Sequence, residues 1–232
     1  MAKKLKGNAI FLHVPKTGGS WVRRILLDTG LFIRSIGRPH ADVDRVFGPV
    51  TTKKREILRY YFKCCIGASP GEKPFLFCFV RHPLSWYESW FKFMGTAEKN
   101  WKLLGDENDI SKWHPQSCLN GLDSRDFNTF VRNVVKKRPG YVTEMFSRYT
   151  CPPVAFIGKQ ENLTDDLITV LNRLDLDFDE DYIRTHPKIN VSSAGENDNV
   201  IWDPDLRKEV YRLEYAAIRR YGYDQADYGY TD

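Results

Sequence analysis

The chain has 232 residues, with 35 Lys and Arg against 30 Asp and Glu, a formal net charge of +5 and 42% hydrophobic residues. That composition excludes a disordered chain and supports a single domain over residues 1–232 with a sizeable core. The basic excess is mild: it favours an anionic ligand but does not specify nucleic acid, and no apolar run reaches the length of a membrane span.

The first apolar run, Ala9 to Val14, predicts a short buried strand. It is too short for the hydrophobic region of a secretion signal, so none is expected. A tight loop follows, Pro15-Lys16-Thr17-Gly18-Gly19-Ser20, and a helix is predicted over Trp21 to Asp28, stopped at Thr29-Gly30. Next comes a loop holding His40, then a helix over Thr51 to Lys63 and a turn at Gly67 to Gly71. Phe75 to Val80 is continuously apolar, the pattern of a strand covered on both faces by helices. Pro83 to Met94 reads as a helix with proline in its first turn. Residues 95–124 are polar, broken by glycines and dotted with Trp101 and Trp113, and read as an irregular insertion. Further on, a helix is expected over Asp126 to Lys137, capped by Ser124 or a neighbour. A strand over Val154 to Gly158 and a helix over Leu163 to Leu174 follow. One last helix is capped by Asp203, opens on Pro204 and runs to about Tyr221. Strands alternating with helices predict an α/β domain with a central, mostly parallel sheet flanked by helices.

The loop after the first strand carries the chemistry. Two adjacent glycines let backbone N–H groups approach an anion, and the helix behind them adds the positive end of its dipole. Lys16 supplies a full charge, and Thr17 and Ser20 supply hydroxyls. In a Walker A loop the lysine follows the glycines, whereas here Lys16 precedes Gly18-Gly19, and no G-x-G-x-x-G is present. A second motif starts at the end of the apolar strand: Arg81, then Ser89 eight residues on. An arginine fork there suits a phosphate, because open α/β sheets bind ligands beyond the carboxyl ends of their strands. The five cysteines form an odd set without C-x-x-C spacing, which argues against a zinc site or disulfide framework and fits a reducing cytoplasm.

Together, Pro15-Lys16-Thr17-Gly18-Gly19-Ser20-Trp21 and the Arg81…Ser89 pair resemble the sulfotransferases that use 3′-phosphoadenosine 5′-phosphosulfate (PAPS). Phe156-Ile157-Gly158-Lys159-Gln160-Glu161-Asn162-Leu163, Lys188 to Ser192 and the Tyr211…Tyr221-Gly222-Tyr223-Asp224 ending are similar to the Golgi-type and bacterial carbohydrate members. The resemblance implies a P-loop-kinase-like sulfotransferase fold and in-line transfer of a sulfuryl group to a hydroxyl or amine, with adenosine 3′,5′-bisphosphate (PAP) as product and no metal. It implies Pro15 to Trp21, with Lys16 foremost, as the 5′-phosphosulfate loop, and Arg81 and Ser89 as the 3′-phosphate site. A histidine general base is implied in the loop after the first helix, where His40 stands, with Glu88 and His114 as alternatives. Trp21 and Arg148 are candidate adenine neighbours, and the acceptor is expected to be a glycan or small molecule reached through the 95–124 insertion. Two other readings stay open: a P-loop-type nucleotide or small-molecule kinase, which needs magnesium, and a non-catalytic nucleotide-binding module.

Overall fold

The computed structural model describes residues 1–37, 40–47, 73–95, 104–106, 114–189 and 200–223. The expected helix over Thr51 to Lys63, the turn at Gly67 to Gly71, Trp101 and Trp113 lie outside the described residues.

The chain divides into two compact units, one made of residues 1–79 and 148–187, the other of 80–147 and 188–232. The first holds a five-stranded mixed sheet in the order β3-β1-β2-β4-β5. Its strands are β1 (Ala2–Leu5), β2 (Ala9–Leu12), β3 (Phe32–Ile36), β4 (Phe75–Val80) and β5 (Phe156–Lys159). β2 and β4 run parallel, with Leu12 opposite Cys78. β1 runs antiparallel to both β2 and β3. β1 and β3 are additions to the sequence reading. β1 is half lysine, and β3 leaves Ile33, Arg34 and Ser35 exposed, so neither shows the apolar run of a covered strand.

Helices α1 (Gly19–Asp28), α2 (Val43–Phe47) and, beyond β5, α6 (Leu163–Arg173) and α7 (Glu180–Thr185) complete this unit. α1 buries Trp21, Val22, Ile25 and Leu26, and α6 buries Leu167, Ile168, Val170 and Leu171. These eight pack with Phe11, Phe77 and Phe79 of the sheet into one core. At about 1.5–3 kcal/mol for each large apolar side chain fully removed from water, this core is the main force holding the loop at the end of β2 in place.

The second unit is built around α3 (Pro83–Met94), with α4 (Phe127–Lys137), α5 (Tyr141–Thr150, crossing the division at residue 147), α8 (Pro204–Leu213) and α9 (Tyr215–Arg220). Its core is aromatic: Trp86 stacks on Trp90 at 5.5 Å, Phe91 meets Phe127 at 5.4 Å, and Phe127 meets Trp202 at 4.8 Å. Local chemistry sets the helix starts. The His82 imidazole accepts from the Leu84 N–H and Pro83 opens α3. Asp126, two residues beyond Ser124, accepts from Thr129 N–H at the head of α4. Asp203 accepts from Asp205 and Leu206 N–H groups at the head of α8.

The single helix expected from Asp203 to Tyr221 is two helices, broken at Glu214. That side chain is fully buried. Its carboxylate accepts from the Tyr87 hydroxyl (2.8 Å), the Val142 and Thr143 N–H groups (3.0 and 2.7 Å) and the Thr143 hydroxyl (2.6 Å). Val142 and Thr143 open α5, whose first N–H groups have no partner within the helix. A charge brought this deep is tolerated because four donors replace its water, two of them at a helix's positive end.

Candidate functional site

After β2 the chain makes a short reversal before α1. Val14 N–H returns to the Leu12 carbonyl, and the Thr17 hydroxyl donates to the Val14 carbonyl at 3.0 Å. Thr17 is fully buried, so its hydroxyl braces the loop, which is a more structural part than the anion donor read from sequence. Lys16 (φ 64°) and Gly18 (φ 81°) both adopt left-handed backbone. For Lys16 that conformation carries strain, held in place by the surrounding packing. The reversal ends with Gly18 as the N-cap of α1, its carbonyl accepting from Trp21 and Val22 N–H.

The first turn of α1 has no acidic residue and no capping side chain, and among the described residues nothing accepts from the Gly19 and Ser20 N–H groups. Among the described residues, then, no acidic or capping side chain offsets the positive end of α1. Pro15 is buried, Lys16 is half-buried and Ser20 is exposed. Trp21 lies in the core, 5% exposed, with its ring 6.2 Å from that of His186 and its Nε1 without a hydrogen-bond partner among the described residues. It supports the loop from beneath and presents no open face for stacking.

Gly19 touches the residue that organises the site. A Cβ there would run into the His13 ring, so any larger residue forces the ring or the start of α1 to move. The His13 ring stacks on Phe11 at 5.9 Å and meets the His40 ring at 4.5 Å. His40 Nδ1 donates to the His13 carbonyl at 3.0 Å. Because a carbonyl only accepts, the Nδ1 proton is fixed and Nε2 carries the lone pair. His40 is itself left-handed (φ 55°), and its carbonyl accepts from the hydroxyl of Tyr149, a fully buried side chain. Two residues on, Asp42 is buried beside Arg45 and caps α2 through the Arg45 N–H. His40 is thus clamped at ring and carbonyl, by β2 on one side and α5 on the other. Burial, with the charges of the N-terminal amine, Lys16 and Lys3 and against the hydrogen bond to His13, holds its pKa down at about 4, so at neutral pH it is an unprotonated base.

The residues of the second motif belong to the second unit. Arg81 follows β4 directly and is half-buried; Ser89 lies on α3, half-buried, with no hydrogen-bond partner among the described residues. Glu88 accepts from Trp202 Nε1 at 2.7 Å, which occupies one of its oxygens. His114 accepts from Gln116 N–H at 3.3 Å. Arg148 lies at the C-terminal end of α5. Among the described residues no three His, Cys, Asp or Glu side chains gather as metal ligands, and no helix is long and apolar enough to cross a membrane.

Sequence reasoning singled out the loop, Lys16 and His40, which the structure places in one unit, but it passed over two neighbours of His40. Tyr149 lies 109 residues from its partner in an ordinary amphipathic helix, so nothing local marks it. Lys3 reads as a solvated terminal charge, yet it is only 4% exposed.

The depressed imidazoles give the fold a pH dependence. Burial lowers His13 well below the usual imidazole range and His82 to about 4, alongside His40. A folded-state pKa below the unfolded value of about 6.5 means the unfolded chain takes up protons first. Stability is then fully present above pH 6.5 and is lost as pH falls toward 4, by about 3 kcal/mol for each imidazole held near 4. Asp42, whose carboxyl burial raises, works in the opposite sense but is a single group. The urea midpoint is expected to be clearly lower at pH 5 than at pH 7; an equal or higher midpoint at pH 5 contradicts this account.

Fold and loop together define an α/β protein with a glycine-bearing strand–loop–helix turn next to a neutral, oriented histidine. No family model matches the chain, and neither a curated protein nor a solved structure matches it.

Proposed function

We propose that the chain is a PAPS-dependent sulfotransferase with the P-loop-kinase-like fold of that class, acting on a hydroxyl or amine of a carbohydrate acceptor. The observation that carries the reading is the loop Pro15–Ser20. It joins a helix N-terminus without an acidic or capping side chain, and a lysine, to a histidine that is unprotonated at neutral pH with its Nδ1 turned to the His13 carbonyl. Each part answers a requirement of sulfuryl transfer, which like phosphoryl transfer depends on positioning and charge stabilisation.

In this reading the Gly18 to Ser20 backbone holds the sulfated end of the donor. Lys16 neutralises charge developing on the bridging oxygen. The acceptor oxygen forms a bond to sulfur as the bond from sulfur to the bridging oxygen breaks, and PAP leaves. His40 Nε2 takes the acceptor proton. Arg81 and Ser89 bind the 3′-phosphate and so select this donor over nucleotides that lack one.

Calorimetry without magnesium tests the assignment. PAP is expected to bind at least about tenfold tighter than ADP, because one charge-assisted phosphate contact is worth roughly 1.5–3 kcal/mol, and Arg81→Ala should erase most of that preference. Equal binding of the two nucleotides, or a magnesium requirement, removes the sulfotransferase reading and brings forward a kinase.

A further inference from the structure

The two glycines of the loop rest on different supports. Gly19 meets the His13 ring, and Gly18 meets the start of α6. A Cβ on Gly18 would fall 2.5 Å from Leu163 Cδ2 and 3.5 Å from Gln160 Cγ, so the left-handed turn (φ 81°) has Leu163 as its wall. Leu163 is the first residue of α6 and is reached from β5 through one short turn, Gln160–Asn162. A glycine has no side chain to anchor it and many backbone conformations open to it. What lies against Gly18 therefore decides where the turn stands.

Asp166 fixes that wall. From the first turn of α6 its carboxylate reaches back, accepting from the Lys159 N–H at 2.6 Å and from the Asn162 side-chain amide at 3.0 Å. Lys159 ends β5 and Asn162 directly precedes Leu163, so the two bonds fasten strand, turn and helix together. Gly158 admits the carboxylate. It is buried, and a Cβ there would fall 2.9 Å from Asp166 Oδ2 and 2.6 Å from Cδ1 of Phe79. Attraction to the helix dipole accounts for an acid in a first turn, but it requires no bond to the preceding strand. Two directed bonds, charge-assisted at the carboxylate, set a geometry as well. Gly18, Phe79 and residues 158–166 all belong to the first unit.

We propose that Asp166 and Leu163 are positioning residues of the loop. Asp166 holds the turn after β5, the turn sets Leu163 against Gly18, and Gly18 so held aims the Gly19 and Ser20 N–H groups at one anion. Neither side chain touches that anion. The assignment rests on the sulfuryl-transfer reading only for the anion's identity, the 5′ end of the donor.

Nitrogen-edited NMR of the Gly18, Gly19 and Ser20 amides, with calorimetry of PAP and of inorganic sulfate, provides the test. Leu163→Ala and Asp166→Ala are each expected to weaken PAP binding at least about tenfold, the worth of one charge-assisted contact. Both should also move the three amide signals before any ligand is added. Leu163→Met, close to leucine in volume, should keep wild-type affinity and signals. Because Asp166 acts through Leu163, Asp166→Ala should cost little more in a chain that already carries Leu163→Ala. Val170→Ala, in the core two turns further along α6, controls for lost stability. It should lower the urea midpoint and leave PAP affinity and the amide signals as they are. The proposal is overturned if Asp166→Ala leaves the amide signals in place or if the two losses add in full. It is also overturned if Val170→Ala weakens PAP as much as Leu163→Ala does. Should PAP not bind the wild type, sulfuryl transfer falls, and the same comparisons made with sulfate decide the wall alone. If sulfate does not bind either, both fall.

Discussion

His40→Ala is expected to bind PAP as the wild type does and to transfer sulfuryl groups about 10²–10⁴ times more slowly, the usual worth of a positioned general base. The two halves of that expectation come from different features. In the proposed mechanism binding belongs to the loop and the head of α1 and draws no donor from the His40 ring. In the proposed mechanism turnover depends on Nε2, which carries the lone pair of the neutral ring because Nδ1 donates to the His13 carbonyl. Release of PAP from PAPS, followed with an acceptor the wild type uses, gives the rate, and calorimetry gives the affinity. Wild-type turnover in the variant would remove His40 from the chemistry and return attention to Glu88 and His114. A parallel loss of PAP affinity would make His40 a part of the loop's scaffold.

Gly19→Ala is expected to disable the site by a steric route. The added methyl group would meet the His13 ring at 2.0 Å, so either the ring or the start of α1 must move. Overpacking of this kind costs about 1–3 kcal/mol. Moving the ring also breaks the contact that orients His40, so PAP affinity and turnover should fall together. The double variant His13→Ala/Gly19→Ala separates the causes. If the clash is the whole effect, removing the ring makes room for the methyl group, and the second substitution then costs far less than it does alone. Urea denaturation of the four proteins in the cycle measures this. Strict additivity would show that Gly19 is needed for some other reason.

Much of the site was legible because its parts are adjacent in sequence. A lysine, two glycines and a helix start within six residues carry their meaning locally, and so does Pro83 after the apolar strand. The pairing of His40 with His13 was not legible, because it depends on the return path through β3. That strand is exposed along its middle and has no apolar alternation by which to recognise it. Tyr149 and Lys3 escaped for the same reason: their roles arise from distant partners. The break at Glu214 was hidden because a glutamate inside a helical pattern is ordinary until its carboxylate is found to head another helix. For the fold, the strand–helix alternation gave the α/β class, whereas the antiparallel β1 and β3 extend the sheet on its lysine-bearing side.

The division of the chain has a consequence for its synthesis. Neither unit is continuous: the sheet takes β5 and α6 from residues beyond 147, and the helical unit takes α8 and α9 from residues beyond 187. Tyr87 meets its buried acceptor 127 positions later. A ribosome-bound chain therefore holds an unclosed sheet, with the edge of β4 bare, until β5 emerges. It also holds an uncapped α5 until Glu214 does. Such late closure of long-range contacts slows folding and prolongs the exposure of apolar strand, so chaperone dependence and low soluble yield are the expected traits of this protein during expression.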